Sequence, residues 1–145
     1  MWSFVSKAIF KLLIAEVEMF KAKPALKKAA EKVRDLYQTT HRYNQVNTSL
    51  TVWWGMLQEA MSKDSCYEEI MYVVRTVNRD SSLRIRNLLR KAIDFCDSIE
   101  QITEVYPRLP TSSWSRHKKL LIRKAYELAR NKEEFFQFLD KCHII

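Results

Sequence analysis

Glycine is almost missing from this chain: Gly55 stands alone among 145 residues, beside three prolines, Pro24, Pro107 and Pro110. A fold of many tight β-turns needs far more of both, because such turns use residues that tolerate positive φ or preset it. Lys, Leu, Ala, Glu and Arg are plentiful instead, so the composition predicts an all-α fold. One glycine also excludes a glycine-rich phosphate loop in its usual form.

Cysteines are few and odd in number, Cys66, Cys96 and Cys142, with no Cys-x-x-Cys among them. That argues against a disulfide framework and predicts reduced thiols in an intracellular, cytoplasmic setting. Long apolar runs are absent too. No uncharged stretch approaches the roughly 18 residues of a membrane span. Lys11, Glu16 and Glu18 interrupt the apolar stretch from Met1 to Phe20, and no small-residue cleavage site follows it. A soluble single domain over 1–145 is the expectation, long enough to bury its own core.

What the chain does have is a stretch used twice. Leu88-Leu89-Arg90-Lys91-Ala92 returns 33 positions later as Leu121-Ile122-Arg123-Lys124-Ala125. Three capping boxes keep the same period: Ser65 with Glu68, Ser98 with Gln101, and Asn131 with Glu134. In each, the first side chain can accept from the N3 backbone N–H while the fourth reaches back. Apolar residues at three-four spacing predict long helices over Leu83–Cys96 and Trp114–Ala129, the latter with Leu120 and Leu128 on its apolar side. Ser81 or Ser82, and Ser112 or Ser113, are candidate caps. Pro107 and Pro110 should stop the short helix between them.

The first half lacks these landmarks. A broad apolar stripe predicts a helix from Trp2 to about Ala22, and a second, amphipathic helix runs from Ala25 to about Tyr43 with Pro24 in its first turn. The polar run Asn44–Ser49 looks like a linker into a helix carrying Trp53-Trp54. Those tryptophans suit a stacking platform or binding contact, but the apolar stripe accounts for both as core. Gly55 mid-helix would be explained by a close helix crossing. The predicted architecture is about seven helices: residues 1–47 form an N-terminal cap, and 48–145 form helix hairpins of about 33 residues stacked as a short α-solenoid or irregular bundle.

The net charge is +8 and unevenly placed. Residues 79–130 hold 12 basic and 6 acidic side chains, whereas 1–78 hold 11 and 8, and 131–145 hold 2 and 3. Arg90-Lys91 and Arg123-Lys124 occupy equivalent repeat positions, extended by Arg84 and Arg86 on one helix and by Arg116 and Lys119 on the other. Arg offers a rigid two-pronged donor for phosphate, and Lys a point charge. Such a ladder could follow a nucleic-acid backbone, unless Asp94, Asp97 and Glu127 pair with it.

Other chemistry finds little support. Glu68, Glu69, Glu100, Glu133 and Glu134 fall in helix first turns, where capping and the helix dipole explain them. His41, His117 and His143 lie far apart in sequence, with no metal-ligand spacing. The sequence therefore predicts a non-enzymatic binding module with no cofactor and no metal, its partner DNA, RNA or an acidic protein surface. The alternative is a protein adaptor or inhibitor that uses an apolar groove or the Trp2–Phe20 helix, with homo-oligomerisation also possible.

Overall fold

A computed structural model of the chain describes residues 23–39, 43–61, 66–110 and 114–144. Among them are seven α-helices and no strand: α1 (Pro24–Gln38), α2 (Tyr43–Ala60), α3 (Tyr67–Val77), α4 (Leu83–Phe95), α5 (Ile99–Val105), α6 (Ser115–Leu128) and α7 (Lys132–Lys141). A 3-10 turn, Tyr106–Arg108, follows α5. The protein is all-α, as its composition implies. The helix expected from Trp2 to Ala22 lies outside the described residues. The chain divides into two compact units, Met1–Asn78 and Arg79–Ile145.

In the first unit, α1 opens on Pro24, where a missing N–H leaves no bond unmade. It buries Leu26, Ala29, Ala30 and Val33 and packs against α2 and α3. It stops at Gln38 rather than near Tyr43, because the Thr39 hydroxyl donates to the carbonyls of Asp35 (3.3 Å) and Leu36 (3.2 Å), satisfying terminal acceptors. Correspondingly, the polar run 44–49 is not a linker but the first turns of α2. Asn, Ser and Thr sacrifice at most about 0.7 kcal/mol each in a helix. Burial of Trp54 and Leu57 further along α2 outweighs this.

Trp54 belongs to the core, and its indole N–H donates to the Tyr37 hydroxyl at 3.3 Å. Trp53 is half-buried, with the Lys32 ammonium 6.0 Å from its ring centre. The close crossing expected at Gly55 is not found: the residue is exposed, and a Cβ placed there would meet nothing within 4 Å. Nothing in the structure explains the glycine.

Eight of the eleven residues of α3 are buried, Glu69 among them. Its carboxylate takes the Lys23 ammonium at 2.7 Å, which ties the entry of α1 to α3. Ser65, the predicted cap, lies outside the described residues; α3 begins after Cys66, which makes no side-chain cap bond. The helix ends on Asn78 at φ 51°, a left-handed position that Asn can take in place of glycine.

In the second unit, α5 packs against α4, α6 and α7, and α6 packs against α7. Three pairs of positions 33 apart are buried alike, Leu88 and Leu121, Ala92 and Ala125, and Val105 and Phe138, whereas buried Ile93 is answered by exposed Tyr126. The turns from α4 to α5 and from α6 to α7 also agree in backbone at their first and last residues. Cys96 (φ −65°, ψ 120°) corresponds to Ala129 (φ −66°, ψ 132°), and Ser98 (φ −140°, ψ 158°) to Asn131 (φ −155°, ψ 173°). Both caps act as predicted on the N3 amide: Ser98 Oγ accepts from Gln101 N–H at 3.2 Å, and Asn131 Oδ1 from Glu134 N–H at 2.9 Å. The Gln101 side chain reaches back to the amide of Asp97 (2.8 Å), one residue before the cap.

Helix α5 ends at Val105, and Pro107 sits in the 3-10 turn that follows. Ser82 precedes α4 without a side-chain cap bond, and α6 starts after Trp114. Ser112 and Ser113 lie outside the described residues. Leu120 and Leu128, expected on the apolar side of α6, are 37% and 40% exposed. The buried side of α6 is narrower than its letters suggest, holding Leu121 and Ala125.

Candidate nucleic-acid interface

The eight basic residues singled out in the sequence all belong to the second unit, on α4 and α6, but the structure gives them different jobs. Arg84 and Arg86 are half-buried in α4. Arg84 is already partnered within the protein. Arg86 Nε is sealed from solvent without a hydrogen-bond acceptor, so that edge of the guanidinium faces the protein.

Arg90 is exposed, yet its guanidinium lies 5.1 Å from the centre of the Trp114 ring and one of its nitrogens reaches Asn87 Oδ1 at 3.4 Å. Trp114 is almost fully buried. Arg90 therefore lids the residue from which α6 starts, a cation–π contact worth about 0.5–1 kcal/mol where solvent reaches it. The imidazole of His117 meets the same Trp114 ring at 4.9 Å, and its Nδ1 is buried without a hydrogen-bond partner.

Lys124 is half-buried and donates to the Ile93 carbonyl at 3.0 Å. That carbonyl belongs to the last turn of α4, where the helix dipole favours a cation. The same ammonium favours the thiolate of Cys96, but burial dominates and pushes the thiol up to about 12. A buried thiol of this kind is a small hydrophobe rather than a nucleophile.

Four of the eight remain presented: Lys91 on α4, and Arg116, Lys119 and Arg123 on α6. All four are exposed, and among the described residues none makes a hydrogen bond or ion pair. The pairing considered for Asp94, Asp97 and Glu127 does not involve them. Spacings of three and seven set Arg116, Lys119 and Arg123 on one face of α6. Together with Ser115 and Leu120 they line an open recess of about 570 Å³. Three unpaired cations in one recess repel one another, with Glu127 four residues beyond Arg123 offsetting part of that charge, and an anion bound there relieves the rest.

Spacing along α6 also points to a residue that the charge pattern alone misses. Tyr126 follows Arg123 by three and Lys119 by seven, so it continues the same stripe. It is 69% exposed, and its ring packs against Phe135 of α7 at 5.4 Å and 82°. Phe136, 53% exposed, lies beside Phe135 at 6.4 Å.

The carboxylates stay where helix starts place them. Glu100 lies in the first turn of α5, and Glu133 and Glu134 in that of α7. Among the described residues, no three or more of His, Cys, Asp and Glu converge as a metal site, and no helix is long and apolar enough to cross a membrane. Comparison of the chain with models of known families, with curated proteins and with solved structures finds no match.

Proposed function

We propose that this protein is a non-enzymatic helical-repeat module that binds nucleic acid through the basic face of α6, joined by Lys91 of α4. The observation that carries this reading is the recess lined by Arg116, Lys119 and Arg123, three exposed cations with no acidic partner among the described residues. The repeat part of the reading is supported by the 33-residue period, by the matched turns after α4 and α6, and by the paired buried positions. Lys and Arg that neutralise phosphates release condensed counterions, so affinity must fall steeply with salt.

Fluorescence anisotropy with a labelled oligonucleotide across a salt series tests this. Binding at about 50 mM salt should weaken linearly on a log–log plot, and Arg116→Glu with Arg123→Glu should flatten the slope by about 2. Absence of binding at low salt overturns the proposal.

A second reading, a protein adaptor, is favoured by a separate observation. Phe95, Tyr126, Leu128 and Phe136 are large apolar side chains left exposed in the second unit. An affinity pull-down that retains a stoichiometric protein partner through high salt and nuclease tests it, and sedimentation velocity across a concentration series tests the separate reading of a self-associating protein. A mass that rises with concentration and is insensitive to salt would favour this reading over nucleic acid.

A further inference from the structure

We infer that the nucleic acid taken by α6 is single-stranded, with one unstacked base lying on the Tyr126 ring. The inference rests on the nucleic-acid reading above and narrows its substrate class. At about 100° per residue, Arg116, Lys119, Arg123 and Tyr126 fall within an arc of about 80° on α6. Tyr126 stands about 4.5 Å further along the axis than Arg123, at the end of the cationic stripe. Cations that follow a backbone, with an aromatic side chain beside them, are the two parts of a single-strand site: the charges hold phosphates and the ring accepts a base face.

The aromatic geometry supplies the second part. Tyr126 is 69% exposed and meets Phe135 at 82°, a T-shaped contact that steadies the ring while solvent still reaches it. Phe135 is itself backed by Phe138, 6.2 Å away, and Phe138 is fully buried. The ring is thus anchored to the core through two aromatic contacts, which lowers the entropy lost when a base settles on it. A duplex has no free base face to offer, since its bases are already stacked and only their edges are accessible. Trp53 and Trp54 are half-buried and buried, and neither presents a comparable surface.

The test uses the full chain and three labelled probes: a thymidine oligonucleotide about 20 nucleotides long, a duplex of equal length, and an abasic strand of the same length. Wild type should bind the thymidine strand at least about five-fold more tightly than the abasic strand. Tyr126→Ala should lose about five-fold or more on the thymidine strand and leave duplex affinity unchanged, while Tyr126→Phe retains the wild-type value. Circular dichroism confirms that each variant is folded. The abasic comparison needs no variant.

Equal affinity for thymidine and abasic strands overturns the inference, as does a Tyr126→Ala variant whose loss is equal on single strand and duplex. In both cases salt-dependent binding leaves the broader nucleic-acid proposal standing. No binding of any probe at low salt defeats both. If Tyr126→Ala leaves every probe unaffected but lowers the sedimenting mass, the ring belongs to a protein contact and the inference fails.

Discussion

Arg90-Lys91 on α4 and Arg123-Lys124 on α6 stand 33 residues apart, on helices that bury Leu88 and Ala92 in one case and Leu121 and Ala125 in the other. Within that shared frame the two pairs divide their duties in opposite ways. On α4 the arginine is engaged, over Trp114, and Lys91 is presented to solvent. On α6 the lysine is engaged, at the Ile93 carbonyl, and Arg123 is presented. Each pair gives one cation to the fold and keeps one for the surface. Both engaged cations join α4 to α6 or to the residue before it, so the repeated letters also supply contacts between the two helices.

The comparison breaks most visibly in the core. Leu121→Ala and Leu88→Ala should each destabilise by about 2–5 kcal/mol, read as a lowered urea midpoint with unchanged slope. If one is near neutral, the two helices do not hold equivalent positions in the core. A smaller effect separates the lysines. Lys124→Met should lose about 1–2 kcal/mol, because the Ile93 carbonyl loses a charged donor at a partly exposed site. Lys91→Met should stay within about 0.5 kcal/mol. Equal losses would show that the pairs do not divide as described.

The smallest effect concerns Cys96, whose counterpart 33 residues on is Ala129. Burial raises the Cys96 thiol from 9.0 to about 12, so the folded state keeps a proton that the unfolded chain releases from about pH 9 upward. The stability contributed is complete below pH 9 and declines above it. Cys96→Ala should therefore be less alkali-sensitive than wild type, by under about 1 kcal/mol between pH 7.5 and 9.5, read from urea midpoints at the two pH values.

Much of the fold was legible because it depends on local rules. Helix class followed from composition, the caps Ser98 and Asn131 followed from capping chemistry, and Leu88, Leu121, Ala92 and Ala125 followed from periodicity. What escaped was decided by tertiary contact. The polar run 44–49 became helical because residues further along α2 pack, and α1 ended early through a hydroxyl at Thr39. Leu120, which periodicity places on the apolar side of α6, lines the cationic recess.

The candidate site was legible as a list of cations but not as a surface. Net charge and spacing single out Lys91, Arg116, Lys119 and Arg123 together with Arg84, Arg86, Arg90 and Lys124. Only coordinates distinguish a guanidinium lying on a buried indole from one facing water, because both satisfy the same helical period. Tyr126 was within reach of the sequence, since spacings of three and seven from Arg123 and Lys119 put it on their face. Charge alone does not mark it, because a phenol carries none at neutral pH.

The matched turns at Cys96–Ser98 and Ala129–Asn131 suit a chain with one glycine. Neither turn visits the left-handed region, so neither makes the demand that only glycine meets cheaply. Each asks for extended backbone and one short side chain that can accept from an amide, conditions met by Ser in one copy and by Asn in the other. Such a corner is nearly indifferent to spelling. The two corners share no residue at any of their three positions, yet the backbone angles agree at Cys96 and Ala129 and at Ser98 and Asn131.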